Sequence, residues 1–292
     1  MRTRAIVFYC LIVYALGWSL QLAAIHIVGD LESDAARPWL GAAMFGPGLV
    51  ALLFAWASKD FRAALKWRPT WRMWPAFLVA VLVPTVIAFG SVAICLAFGW
   101  GTPGWFRFAS SGVTISGGPW LLGRGVQAWP LFLANVAATG LAYAAFNALF
   151  AMGEELGWRG FLQGALTQKL GTARGIALLG LIWSFWHLPG LLAGYNYPQY
   201  PVLGAFVLFP VMLVAVSFFL GWLTIRTGTF WPAAIAHGAG NSIEEGVFAN
   251  LHLTAPQLAA DLTRLALTVL FGLLFWGLLF RGLIKSRRSE GG

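Results

Sequence analysis

The sequence predicts an all-α membrane protein, a polytopic bundle of about eight transmembrane helices with both termini on the cytoplasmic side. Three observations predict it. The 292 residues are 59% hydrophobic and only 10% charged, against about 25% charged in a soluble chain, and the mean hydropathy is +0.76. The apolar runs are long and continuous, without the alternation of a lipid-facing barrel, so they are helices. Lys and Arg, finally, fall overwhelmingly on one side of the chain once the runs are treated as spans.

Crossing about 30 Å of hydrocarbon takes roughly 20 apolar residues. On that measure the spans are 5–28, 38–57, 75–98, 129–153, 175–194, 201–225, 230–250 and 263–283. The first follows a basic start, MRTR, as a signal peptide would. Its apolar run is longer than a signal h-region, so it reads as a retained helix. Pro84, Pro189, Pro210 and Pro232 lie in or at the ends of spans, where neighbouring helices can satisfy the freed backbone groups. The seventh span is the weakest apolar run, because it carries His237, Asn241, Glu244 and Glu245. The 16 Trp and 35 Gly suit such a chain, since Trp marks membrane interfaces and Gly is common in spanning helices.

Eight spans put both termini on one side. With that side inside, Arg2, Arg4, Lys59, Arg62, Lys66, Arg68, Arg72, Arg159, Lys169, Arg174, Arg226, Arg281, Lys285, Arg287 and Arg288 are inside, and Arg37, Arg107, Arg124 and Arg264 are outside. Fifteen against four is a strong positive-inside bias. It accounts for the net charge of +9 without a nucleic-acid partner. The stretch KDFRAALKWRPTWR (59–72) reads as a basic amphipathic segment lying along anionic lipid headgroups. Cys10 and Cys95 sit inside apolar runs and read as small buried hydrophobes. Residues 99–127 read as a long outside loop, a dip into the membrane being one course for it, and 160–174 as an inside amphipathic helix after the fourth span. There is no internal repeat, and 1–292 reads as a single membrane domain.

Ionisable groups inside spans are costly, about 2.5–3.5 kcal/mol at mid-helix, and mark function by default. The second half of the chain has them in GEELGWRG (153–160), in WSFWHLPG (183–190) and in AHGAGNS (236–242). Glu155 and Arg159 are four apart and can pair on one helix face. Glu154 is rotated by about 100° from its neighbour and is left to face a cavity. His237 and Asn241 are also four apart, and His187 comes from another helix. One carboxylate, two imidazoles and a carboxamide suit hydrolysis of a peptide bond: a base to activate water and donors for an oxyanion. Two His and one Glu equally suit a catalytic zinc with an open position, although no HExxH motif is present. Glu244 and Glu245, His26 and His252 read as interfacial, and Arg107 and Arg124 as loop residues.

The order EExxxR, then an aromatic-rich segment with a His, then HxxxN resembles the CAAX protease and bacteriocin-processing (CPBP, or Abi) family of intramembrane proteases, which includes the type II CAAX prenyl endopeptidases. The matching stretches are Glu154-Glu155-Leu156-Gly157-Trp158-Arg159, Phe185-Trp186-His187 and His237-Gly238-Ala239-Gly240-Asn241. The family's second motif usually opens on Phe, and this chain has Trp183 there, a departure that leaves the His untouched. The resemblance covers about 129–250, the expected catalytic core. It implies an eight-helix fold with a cavity open to the cytoplasm, Glu154 as the catalytic carboxylate with His187, an oxyanion site of His237 and Asn241, and Glu155 and Arg159 in support. It leaves open a metal-free mechanism or a metalloprotease with zinc on Glu154, His187 and His237. The implied partner is a peptide or protein reached from the cytoplasmic side. The composition suggests a bacterial inner membrane. A transporter is the rival class, but transporters favour inverted repeats, and here the polar groups crowd into one half. A non-catalytic immunity or scaffold protein is the third class, and it would be expected to lose one of these residues.

Overall fold

In the computed structural model, residues 3–248 and 250–290 are described. For Glu245 and 282–290 only the backbone is described, so the side chains of Glu245, Lys285, Arg287 and Arg288, along with Arg2 and Ala249 as whole residues, lie outside the described residues. The helices are α1 (Thr3–Ile27), α2 (Arg37–Ala57), α3 (Lys59–Ala64), α4 (Met73–Ala97), α5 (Trp129–Glu155), α6 (Gln163–Leu170), α7 (Thr172–Trp186), α8 (Leu188–Leu192), α9 (Pro201–Leu203), α10 (Phe209–Thr227), α11 (Trp231–Ala239), α12 (Glu245–Phe248) and α13 (Gln257–Glu290). Three π-helical segments, Leu156–Leu162, Gly204–Leu208 and Gly240–Glu244, join α5 to α6, α9 to α10 and α11 to α12.

Six helices among the described residues are long and apolar enough to cross a membrane: Thr3–Ile27, Arg37–Ala57, Met73–Ala97, Trp129–Leu170, Pro201–Thr227 and Gln257–Arg281. Many of their large apolar side chains are exposed, such as Phe8, Leu53, Leu78, Phe146 and Leu270, as a lipid-facing surface requires. The chain is an integral, multi-pass membrane protein. The expected eight spans are corrected in two places. The fifth apolar run is cut at Trp186, because Pro189 cannot donate to the helix ladder, and the helix Thr172–Trp186 has only 15 residues. The seventh is helical over 231–248, but its polar residues keep it from qualifying as a span.

Two other expectations gain detail. Residues 160–174, read as an amphipathic helix after the fourth span, are helical over 160–170, with Gln168, Lys169 and Leu170 exposed. Trp129–Leu170 is one 42-residue helix, with Gln163, Ala165 and Leu166 buried. The 99–127 stretch, read as a long loop, carries strands. Strands β2 (Phe106–Ala109), β3 (Gly112–Ile115) and β4 (Gly125–Ala128) form an antiparallel meander, and β1 (Gly101–Pro103) pairs antiparallel with β5 (Leu251–Leu253). The ladders satisfy backbone groups that a bare loop would leave open. Val113 and Ile115 bury against Phe132, whose ring meets Phe106 edge-on at 5.6 Å.

The chain divides into two compact units, interleaved in sequence. Unit one is Met1–Ala76, Phe150–Ala234 and Thr268–Gly292; unit two is Phe77–Leu149 and Ile235–Leu267. In unit one, α1 and α2 pack on the 150–162 stretch, and α10 packs on α7 so closely that a Cβ at Gly180 would lie 2.7 Å from the Val214 backbone. In unit two, Ala88, Ala144, Ala239 and Ile243 form one core, and Cys95, Leu251 and Ala260 another. Cys10 and Cys95 are both free thiols.

Candidate active site

The stretch GEELGWRG owes its place in unit one to its glycines. A Cβ at Gly153 would lie 2.7 Å from Met44 O and from Phe45 Cα, and one at Gly157 would lie 2.5 Å from Pro47 C. Gly48 on α2 faces back, its Cβ position 2.5 Å from Gly153 O. Small residues four apart let two membrane helices touch backbone to backbone. The acids between these glycines are thereby set at a fixed depth against α2, just where the helix widens into its π segment. Such wide turns recur at functional sites.

Glu154 and Glu155 are 1% and 0% exposed. Arg159, also 0% exposed, donates from its Nη1 to Glu155 Oε1 at 2.8 Å and from its Nη2 to Ser217 Oγ at 3.0 Å. This is the pair that the four-residue spacing predicts. Glu154 does not simply face a cavity. Its Oε2 accepts from the indole N–H of Trp158 at 3.2 Å and from that of Trp183 at 2.5 Å. The Trp183 ring also lies under the Arg159 guanidinium, with Cζ 4.2 Å from the ring centroid. The replacement of Phe by Trp at 183 is therefore a change at the carboxylate, which the sequence reading did not foresee.

His187 caps the end of α7 and is half-buried. Its Nδ1 lies 3.0 Å from Trp183 O. A backbone carbonyl only accepts, so it is Nδ1–H that donates in this contact. The rings of Trp186 at 4.7 Å and Phe209 at 5.0 Å, both edge-on, fix its plane.

The break before His187 is repaired by α1, an element that no motif ties to the site. Pro189 has no N–H for Phe185 O, and the Trp18 indole N–H points there at 3.3 Å and at Trp186 O at 3.1 Å. Gly190 N–H, whose helical partner would be Trp186 O, donates instead to Gln21 Oε1 at 3.1 Å, and Gln21 Nε2 donates to Trp186 O at 2.9 Å. The Gln21 carboxamide thus inserts into the ladder at the missing bond. A lone Gln in an apolar run is the one sequence signal that could have pointed here.

His237 and Asn241 belong to unit two. His237 is 9% exposed and Asn241 is half-buried. The helix changes from α to π at Gly240, between them. Gly238 lets α11 meet α5, since a Cβ there would lie 2.5 Å from Ala148 N, and Ser242 Oγ donates to Gly238 O at 2.7 Å. Of the residues read as interfacial, His26 and His252 are exposed and Glu244 is half-buried; Arg107 and Arg124 are exposed.

Glu154, Glu155, Arg159 and His187 thus lie in unit one, and His237 and Asn241 in unit two. The zinc set Glu154, His187 and His237 is chemically suitable. Within neither unit, among the described residues, do three His, Cys, Asp or Glu side chains converge as metal ligands.

No curated protein matches the chain. Residues 134–243 match the family described as Type II CAAX prenyl endopeptidase Rce1-like. That interval contains all six candidate residues, from Glu154 to Asn241. Over residues 134–243, a little over a third of the chain, the protein is thus similar to the Rce1-like type II CAAX prenyl endopeptidases.

Proposed function

We propose that this protein is an intramembrane endopeptidase, acting on CAAX-like or other membrane-associated peptides that reach it from the cytoplasmic side, with its termini inside and, by its composition, in a bacterial inner membrane. The observation that carries this reading is the buried Glu154, oriented by two neutral indole donors beside a second acid that Arg159 already neutralises. Structural ion pairing accounts for Glu155 and leaves Glu154 for chemistry.

In the reaction, Glu154 takes a proton from water as its oxygen attacks the scissile carbonyl. His187, with Nδ1–H donating to Trp183 O, shares that proton through Nε2. The bond to nitrogen then breaks as the proton passes to the leaving amine. His237 and Asn241 donate hydrogen bonds to the oxyanion of the tetrahedral intermediate. A zinc ion, were one held by Glu154, His187 and His237, would supply a water of lowered pKa.

The test is cleavage of a fluorogenic peptide library by detergent-purified wild type, Glu154→Ala, His187→Ala and His237→Ala, each with and without chelator. Loss of cleavage in all three folded variants supports the reading. Chelator inhibition reversed by zinc selects the metal form. If membrane peptides in cells carrying wild type and Glu154→Ala prove identical, the peptidase reading fails.

A further inference from the structure

The proposed reaction assigns Trp183 nothing, yet this residue touches both halves of the acid pair. Two adjacent carboxylates and one guanidinium are buried together on one helix. If Arg159 paired with Glu154, a full counter-charge would sit on the base that has to accept a proton. Two contacts work against that exchange, and Trp183 makes both. Its ring face carries the Arg159 guanidinium at 4.2 Å, a position in which a desolvated cation is held strongly, while the guanidinium donates to Glu155 and Ser217. Its ring edge donates to Glu154 Oε2 at 2.5 Å, joined by Trp158 at 3.2 Å. A neutral N–H fixes a carboxylate's direction without cancelling its charge.

We propose that Trp183 is a positioning residue that gives the two acids different roles: its indole N–H aims Glu154, and its ring face keeps Arg159 on Glu155. This rests on Glu154 being the general base. The backbone of the same residue accepts from His187 Nδ1 at 3.0 Å, so one residue sets the direction of the base and holds the Nδ1–H of its partner.

The discriminating variant is Trp183→Phe, which keeps the ring under Arg159 and deletes only the N–H. We expect kcat to fall about 10- to 100-fold, as when an outer partner of a catalytic ligand is removed, with KM within about twofold and the thermal midpoint unchanged. Trp183→Leu, which also removes the platform, is expected to lower the midpoint as well. A second readout needs no turnover. In protein labelled with 15N at the indoles, the Trp183 resonance, assigned by its absence in Trp183→Phe, should move on Glu154→Gln; rings that merely pack would not report the lost charge. Wild-type kcat in Trp183→Phe, or an unmoved Trp183 indole in Glu154→Gln, overturns the proposal. If membrane peptides in cells carrying wild type and Glu154→Ala prove identical, the peptidase reading falls, and the indole resonance alone decides whether Trp183 holds Glu154.

Discussion

Replacing Arg159 with methionine tests the charge arrangement most directly. The guanidinium is 0% exposed, 2.8 Å from Glu155 Oε1, 3.0 Å from Ser217 Oγ and 4.2 Å over the Trp183 ring. Methionine keeps much of the volume and removes all three contacts. The dominant cost is the stranded Glu155: breaking a buried pair from one side costs about 3–5 kcal/mol. The hydrogen bond and the ring contact share the same group and do not add independently. At roughly 2–4 °C of midpoint per kcal/mol for chains of a few hundred residues, the expected drop is roughly 6–20 °C, read by thermal unfolding in detergent. The double variant Glu155→Met/Arg159→Met leaves neither charge behind, and replacing both members of a buried pair is often neutral. It is therefore expected to recover most of the loss. A single variant as stable as wild type, or a double no better than the single, would refute the argument that Arg159 exists to neutralise Glu155.

The remaining predictions concern what positions the acids. Gly157→Ala places a methyl 2.5 Å from Pro47; it should destabilise by about 1–3 kcal/mol and reduce cleavage, whereas Gly164→Ala, with nothing within 4 Å, should be neutral or slightly stabilising. Gln21→Leu leaves Trp186 O and Gly190 N–H without the carboxamide that joins them; a loss of about 1–3 kcal/mol and a lower kcat are expected by unfolding and peptide assay, and unchanged stability would sink the ladder repair. Burial holds the Lys66 ammonium below its ordinary 10.5. The unfolded chain then binds the proton more tightly, so stability should rise as pH climbs from the depressed value towards 10.5. Lys66→Met should flatten that rise in unfolding titrations.

Much of this protein is legible without coordinates, and the reasons are local. Composition and run length reveal helices because a bilayer demands that each backbone group be satisfied within its own segment. Glu155 pairs with Arg159 because four residues bring two side chains to one helix face, and that geometry survives any tertiary context. The signatures around Glu154, His187 and His237 are likewise contiguous stretches, and they fall within the Rce1-like match at 134–243.

What the sequence left undecided depends on partners distant in the chain. Gln21 and Trp18 complete a helix 165 or more residues away, and no periodicity links them to Pro189. Trp183 reads as an aromatic replacing an aromatic; only when α7 lies beside the π segment does its one N–H reach Glu154. The eight-span count fails where hydropathy hides a proline break and a polar helix. Composition and spacing alone determined a membrane helix protein with polar side chains placed in its apolar runs. Tertiary packing decided what Glu154 meets and how Arg159 is held, because the Trp183 indole and the Ser217 hydroxyl come from elements that the chain itself keeps apart.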